Sequence, residues 1–568
     1  MMRTIFSAVL TAALAAPAAE NSPKMLAYSA APNAYFDDHA ADAARLYDGF
    51  FFVVGSWDEG VSRCLGVGEQ PPSDPSWREK VKSNITRLRE ADATESLLGV
   101  SFGESEPWPS AETLLSAEFT AKMASHFAAA GRAAKDLGFR GVSIDLEYPY
   151  KRYALDHPSY MYDTYTADDL MAGARDQGRA CMSAVLDAFP DAVIFLLPGE
   201  LGGSPIERAF TRAMLDVMAE HDAPGGLHLG YERSYCLLDP GSQAAIPRVG
   251  DCAAEAELEG NALAYWKRRC TTAPGVWPLH MVETGGPDYP VRPWPDELAE
   301  LRHQLGTLRA VAKRYIWSFS GNPVWLPADA ALRQKYGLPP VTFEGAAEAI
   351  SGWHDILTSE ISINDARLRD LIGAVHDFDA GRLDAAGLCA RFATPPAWMV
   401  LGYLGNPFTA PAFSAQAAAT GPIDFAATVQ GRDGVVRWFP FSNYEPTGHI
   451  RLRAAFDYRA TDKCSVHLVC TMTAADDVEG NMLANFDDGG LLRLDDQVIM
   501  DNLAYPERGH GLLYKDRYLF EYAVPIKITK GSHRLALTSV NSHGSWGMDL
   551  RFVDAEGYPL KGLSFSLP

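Results

Sequence analysis

Two carboxylates two residues apart, Asp145 and Glu147, close the stretch Gly138 to Pro149, GFRGVSIDLEYP. Val142, Ile144 and Leu146 read as the apolar face of a short buried strand. In an extended chain residues i and i+2 share a face, so the two acids point the same way. Acids at the carboxyl end of a buried parallel strand are the groups that a (β/α)8 barrel presents at its mouth. One carboxyl held protonated and one ionised across a scissile bond is the chemistry of glycoside hydrolysis. A second acid, Glu283 in HMVETGG, stands at the expected end of another strand, Trp277 to Val282.

The elements needed to position these acids are legible. An Ala-rich helix from about Ala121 to Leu137 precedes the strand, and Gly138 separates the two. Eight apolar runs alternate with helical stretches such as Asp169 to Ala188 and Ile206 to His221. The runs are Met25–Ser29, Gly49–Val54, Leu97–Phe102, Gly141–Leu146, Ala192–Leu197, Gly226–Tyr231, Trp277–Val282 and Tyr315–Phe319. This βα rhythm predicts a (β/α)8 TIM barrel. A doubly wound open sheet is the alternative, and the lack of a GxGxxG turn after the first run counts against a dinucleotide domain.

A helical spacer follows, with helices expected over Gly345–Ile356, Ile363–Asp379 and Asp384–Phe392. From Trp398 the texture changes to alternating strands and Gly/Asn/Asp turns, the pattern of an antiparallel β-sandwich. Strands are expected at His449–Tyr458, Ser465–Met472, Leu491–Met500, Leu519–Ile528 and His533–Ser539. Asp487 to Asn502 reads as a tight strand–turn–strand, and Lys530 to Phe552 as another with Trp546 inside. The expected organisation is therefore a signal segment over 1–19, a barrel over 20–337, a spacer over 338–397 and a jelly-roll-like sandwich over 398–568.

With these strands placed, two resemblances emerge. Glu147 after strand four and Glu283 after strand seven resemble the acid/base and nucleophile of a large clan of retaining barrel glycosidases, with Leu146 where that clan carries Asn. RGVSIDLE, Arg140 to Glu147, also resembles the strand-four signature of the chitinase superfamily, with Gly141, Asp145 and Glu147 matching. Arg140 and Ser143 stand where that signature has acids. The second resemblance implies that Glu147 is the acid and that Asp145 orients a substrate acetamido group acting as nucleophile. Tyr231 and Trp317 would then match that superfamily's strand-six Tyr and barrel-floor Trp. The C-terminal strands resemble the galactose-binding-like modules of secreted carbohydrate enzymes.

Further candidates for the mouth are Glu200, Glu232, Trp57 and the Tyr-rich segment beginning with Tyr148 and Tyr150. Sugar rings have apolar faces that stack on aromatics, while their hydroxyls need polar partners. The structural alternative for each acid is a cap or an ion pair, and for the Tyr segment a self-packed insertion. The expected partner is a carbohydrate. A non-catalytic glycan-binding barrel is the reading from another class.

A net charge of -22 argues against nucleic acid and anionic membrane as partners. Arg3, the apolar run Ile5 to Ala16 and the small residues Ala16-Pro17-Ala18 read as a bacterial secretory signal, too short to span a bilayer. The protein is therefore expected to be secreted or periplasmic, without membrane insertion. No HExxH, P-loop, zinc spacing or GxSxG elbow occurs, so no cofactor is expected. The Asp pairs 476–477, 487–488 and 495–496 are read as solvated turns, with a structural Ca2+ in the sandwich as the alternative. Among the eight Cys, one disulfide within Cys236, Cys252 and Cys270 is expected.

Overall fold

A computed structural model describes residues 22–53, 76–101, 111–146, 165–197, 199, 201, 205–235, 237, 239–278, 293–319, 326–341, 344–405, 421–432, 434–456, 463–486, 489–502, 522–541 and 546–568. Eight parallel strands close into a barrel in chain order. They are β1 Lys24–Ala30, β2 Gly49–Val53, β3 Leu97–Ser101, β4 Gly141–Asp145, β5 Val193–Leu197, β6 Leu227–Tyr231, β7 Thr271–Val276 and β8 Tyr315–Ser318. Closure leaves no strand edge unpaired.

Local sequence signals set the approach to β4. Ser116 caps the helix Ala117–Leu137 by accepting the Phe119 N–H, and Gly138 ends it in the left-handed region at φ 86°. After β4 the helix Ala167–Ala188 opens on a capping box between Thr166 and Asp169.

Strand seven corrects the sequence reading. It runs over Thr271–Val276, ahead of the expected Trp277–Val282, of which residues 279–282 lie outside the described residues; Glu283 is seven residues beyond its end in the chain. Pro274 lies inside it, opposite Tyr231. Proline has no N–H to give to a ladder, so TTAPGV does not read as a central strand.

The spacer forms the helices Ala346–Thr358, Ala366–Asp379 and Ala385–Arg391. Beyond it, a larger and a four-stranded antiparallel sheet share one apolar core, with Val466, Leu468 and Leu537 from the first and Met482, Leu550 and Phe552 from the second. Trp546 is buried in that core, as expected.

Two readings here are corrected. Gly531–Asn541 and Met548–Val553 do not form a hairpin; they belong to opposite sheets, the first pairing with Cys464–Ala474 and the second with Val478–Phe486. His449–Tyr458 is not one strand: after His449–Ile450 the chain turns into a short helix, Leu452–Ala455.

The pair Gly489–Leu494 and Gln497–Asp501 is the expected tight hairpin, with Asp495 and Asp496 at φ 48° and 70°. Positive φ at both central residues is what the right-handed twist of a two-residue hairpin requires. The carboxylates of this turn meet protein side chains: Asp495 lies 2.6 Å from His533 Nδ1, and Asp496 pairs with Arg534. Asp476 pairs with Lys530 at 3.4 Å, and Asp487–Asp488 lie outside the described residues.

Cys252 and Cys270 are buried free thiols, so neither forms the expected disulfide; Cys236 lies outside the described residues. The strands and helices around these two cysteines already enclose them in the apolar core. Barrel, spacer and sandwich meet in one cluster that joins Ala244 and Ala245, Leu368 to Phe392, and Tyr558.

Candidate active site

The alternation along β4 fixes where its polar residues point. Val142, Ile144 and Leu146 pack between barrel and helices, so Ser143 and Asp145 face the barrel interior. Asp145 is the last residue of β4, paired with Ser101 on β3 and Leu197 on β5, at the carboxyl ends of all three. In a parallel barrel that rim is where reacting groups collect. The Tyr28 hydroxyl of β1 donates to Asp145 Oδ2 at 3.3 Å.

Tyr28 also begins an aromatic wall. It stacks on Phe319 at 5.5 Å and lies 5.9 Å from Trp317. Trp277 meets Phe319 edge-on at 5.0 Å and Tyr235 at 5.5 Å. Edge-to-face contacts at these distances are favourable and hold the rings in defined orientations. Trp317 is fully buried beneath them, its indole N–H donating to the Ala273 carbonyl at 3.1 Å, and forms the floor. Gly275 makes room for this packing: a Cβ there would lie 2.6 Å from the Tyr235 ring and 3.0 Å from that of Trp317.

The opposite end of the barrel is built differently. His228 is buried, with Nδ1 2.8 Å from the Thr271 hydroxyl and Nε2 3.1 Å from the Gly225 carbonyl. Burial, reinforced by the Arg314 charge, pushes its pKa down to about 3. The Tyr315 hydroxyl donates to Glu95 at 2.5 Å, and burial raises the Tyr315 pKa. At this end His228, Thr271 and Tyr315 are buried and hydrogen-bonded, with Glu95 and Arg314 half-buried around them, whereas Tyr28, Asp145 and Phe319 at the mouth are half-buried.

Of the residues expected at the site, Asp145 and Trp317 come together, bridged by Tyr28. Tyr231 ends β6, buried against the interior cluster, and Glu232 opens the adjoining 3-10 turn Glu232–Tyr235 half-buried. Glu147, Glu283, Tyr148, Tyr150, Trp57 and Glu200 lie outside the described residues. Sequence reasoning missed Tyr28, Tyr235, Trp277 and Phe319. The inward parity of β1, Leu26 then Tyr28, was the available signal for the first, and the misplaced seventh strand hid Trp277. Among the described residues no cluster of three or more His, Cys, Asp or Glu is arranged to hold a metal ion.

The fold and this mouth define a (β/α)8-barrel protein carrying a C-terminal antiparallel β-sandwich. No family model matches the chain, and no curated protein matches it in sequence. Solved structures similar to it include a Thermobacillus composti glycoside hydrolase family 10 xylanase, 15% identical, TM-score 0.32, over 59% of this chain and 97% of that one. They also include a fungal endo-β-N-acetylglucosaminidase of glycosyl hydrolase family 18, 13% identical, TM-score 0.31, over 59% and 98%. Old Yellow Enzyme from Pichia sp. AKU4542 is similar to the same degree, 12% identical, TM-score 0.31, over 57% and 85%. Among the described residues no helix is long and apolar enough to cross a membrane.

Proposed function

We propose that this chain is an exported glycoside hydrolase that cleaves glycosidic bonds of a poly- or oligosaccharide at the carboxyl-end mouth of its barrel. The observation that carries this reading is Asp145, turned into the mouth at the end of β4 and hydrogen-bonded to Tyr28 beside an aromatic wall. A carboxylate next to aromatic faces is the pairing a sugar needs: the rings take its apolar face, and the acid works on its polar edge. Glu147, two residues on, is the general acid/base, and Glu283 the nucleophile of a two-carboxylate mechanism. Asp145 tunes Glu147, and Tyr148, Tyr150, Trp57, Glu200, Tyr231, Glu232 and Trp317 shape the subsites.

A second reading draws on two observations. β7 ends at Val276, ahead of Glu283, while Asp145 already occupies the mouth. In a substrate-assisted reaction on 2-acetamido sugars Asp145 orients the acetamido group, and no second protein carboxylate attacks carbon. Reducing-end release by Asp145→Asn and Glu283→Gln decides between the two. Loss at Glu283→Gln, with or without loss at Asp145→Asn, supports the two-carboxylate mechanism. Loss only at Asp145→Asn, with cleavage confined to 2-acetamido sugars, supports substrate assistance.

A further inference from the structure

The segment after β6 is held from two sides. Within the turn Glu232–Tyr235, the Ser234 hydroxyl accepts the Gly275 N–H of β7 at 2.8 Å, and Gln304 donates to the Ser234 carbonyl at 3.3 Å. Tyr235, the last residue of the turn, carries its ring into the mouth against Trp277, Trp317 and Phe319. Arg233 reaches the other domain: its guanidinium donates to Asp549 Oδ1 at 2.5 Å. Asp549 lies on the sandwich strand Met548–Val553, its side chain 4% exposed, and His449 Nδ1 lies 3.0 Å from the same oxygen. Burial alone would raise the Asp549 carboxyl, but Arg233 and His449 more than offset it and hold it below its usual range.

Two residues further along that strand, the wholly buried Arg551 donates to Asp239 and Ser242, at the start of the helix Pro240–Ala245. One sandwich strand thus grips both the turn behind the mouth and the helix that follows it. Buried ion pairs add little net stability over apolar packing of the same shape. A module that only tethers the barrel to a glycan has no need of them on this loop.

We propose that the strand Met548–Val553 is part of the mouth: Arg233 is a positioning residue, and Asp549 and Arg551 hold the loop so that Tyr235 stands against Trp277 and Phe319. The consequence for substrate rests on the glycosidase reading, in which the Tyr235 ring is a wall of a sugar subsite.

The test uses the full-length chain with Arg233→Met, Arg233→Lys and Asp549→Asn. Arg367→Met is the control, since it removes an ion pair between the spacer and the sandwich, where Arg367 meets Asp554 at 3.0 Å. Hydrogen–deuterium exchange of a peptide spanning 231–237 needs no substrate. Arg233→Met and Asp549→Asn are expected to speed its exchange about tenfold, Arg233→Lys to restore most of the protection, and Arg367→Met to leave it unchanged. On any cleaved glycan, KM rises several-fold in the first two variants with kcat less affected. Should Asp549→Asn not fold, the Arg233 variants decide. Unchanged exchange in folded Arg233→Met, or an equal rise in the control, overturns the proposal. Absence of hydrolysis by wild type counts against the glycosidase reading alone, because the exchange result stands without it.

Discussion

The hydroxyl of Tyr28, on the first barrel strand, donates to the carboxylate of Asp145, on the fourth, at 3.3 Å. The ring of the same tyrosine stacks on Phe319, just past the eighth. Three strands therefore meet through one side chain, and the acid at the mouth is oriented from across the barrel. At 3.3 Å the bond is longer than the ~2.5–3.0 Å usual for O–H···O, so it orients the carboxylate more than it stabilises the fold. Tyr28→Phe keeps the ring contacts and removes only the donor. We expect kcat/KM to fall about tenfold with the melting temperature little changed, measured on the first glycan found to be cleaved. Unaltered kinetics would separate Asp145 from the chemistry.

Gly275→Ala should be far more damaging than an exposed Gly→Ala change. The added methyl would enter the contact between Tyr235 and Trp317, both of which are buried. Overpacking of this kind costs about 1–3 kcal/mol. Thermal unfolding should show a clear drop in Tm, and near-UV circular dichroism should show altered aromatic bands. A neutral substitution would mean that the aromatic wall is loosely packed.

Acid sensitivity should begin well above the carboxylate range. Unfolded, the His228 imidazole takes up a proton near pH 6.5; folded, only near pH 3. Between those values the unfolded chain binds the proton and the folded one does not, so stability falls as pH falls, by about 1.4 kcal/mol per unit. Burial pushes His467 down to about 4, which adds a second group of the same sign over a narrower window. His533, raised by its bond to Asp495, acts in the opposite direction. Calorimetry from pH 8 to 4.5 should show Tm declining below about pH 6.5, with a shallower decline in His228→Asn. A flat profile would contradict the buried, neutral imidazole.

The buried cysteines make a simple chemical prediction. Cys181, Cys252, Cys270, Cys389, Cys464 and Cys470 are all buried. Burial pushes Cys270 and Cys389 up to about 12, so thiolate is scarce at neutral pH. Alkylation of the native protein followed by peptide mapping should leave all six unlabelled, and labelling should appear only on unfolding. Rapid native labelling of any of them would show that the cores open.

The sequence carried the barrel because most of its strands are largely apolar runs buried on both sides, and Val193–Leu197, VIFLL, is the clearest of them. It failed at Thr271–Val276, where Pro274 disguises a strand that has to close the ring. It failed again at Gly531–Asn541 and Met548–Val553, because two strands close together in the sequence read alike whether they pair or belong to different sheets. Asp145 was legible from its place at a strand end. The wall around it was not, because Tyr28, Tyr235, Trp277 and Phe319 are far apart in the chain and meet only once the barrel closes. Arg233 and Asp549 were invisible for the same reason: nothing in either local sequence names the other.

The central claim is hydrolysis of a glycosidic bond with Glu147 as general acid/base. Its most direct test is a digest of a glycan panel by the purified full-length protein and by Glu147→Gln, scored by reducing-end release and product mass. General acid–base catalysis contributes typically 10²–10⁴-fold. We expect wild type to release new reducing ends from at least one glycan class, and the variant, equally stable, to lose at least about a hundredfold of that rate. Equal rates in the two proteins, or glycan binding by wild type without any cleavage, would contradict the claim and favour a barrel that only holds its sugar.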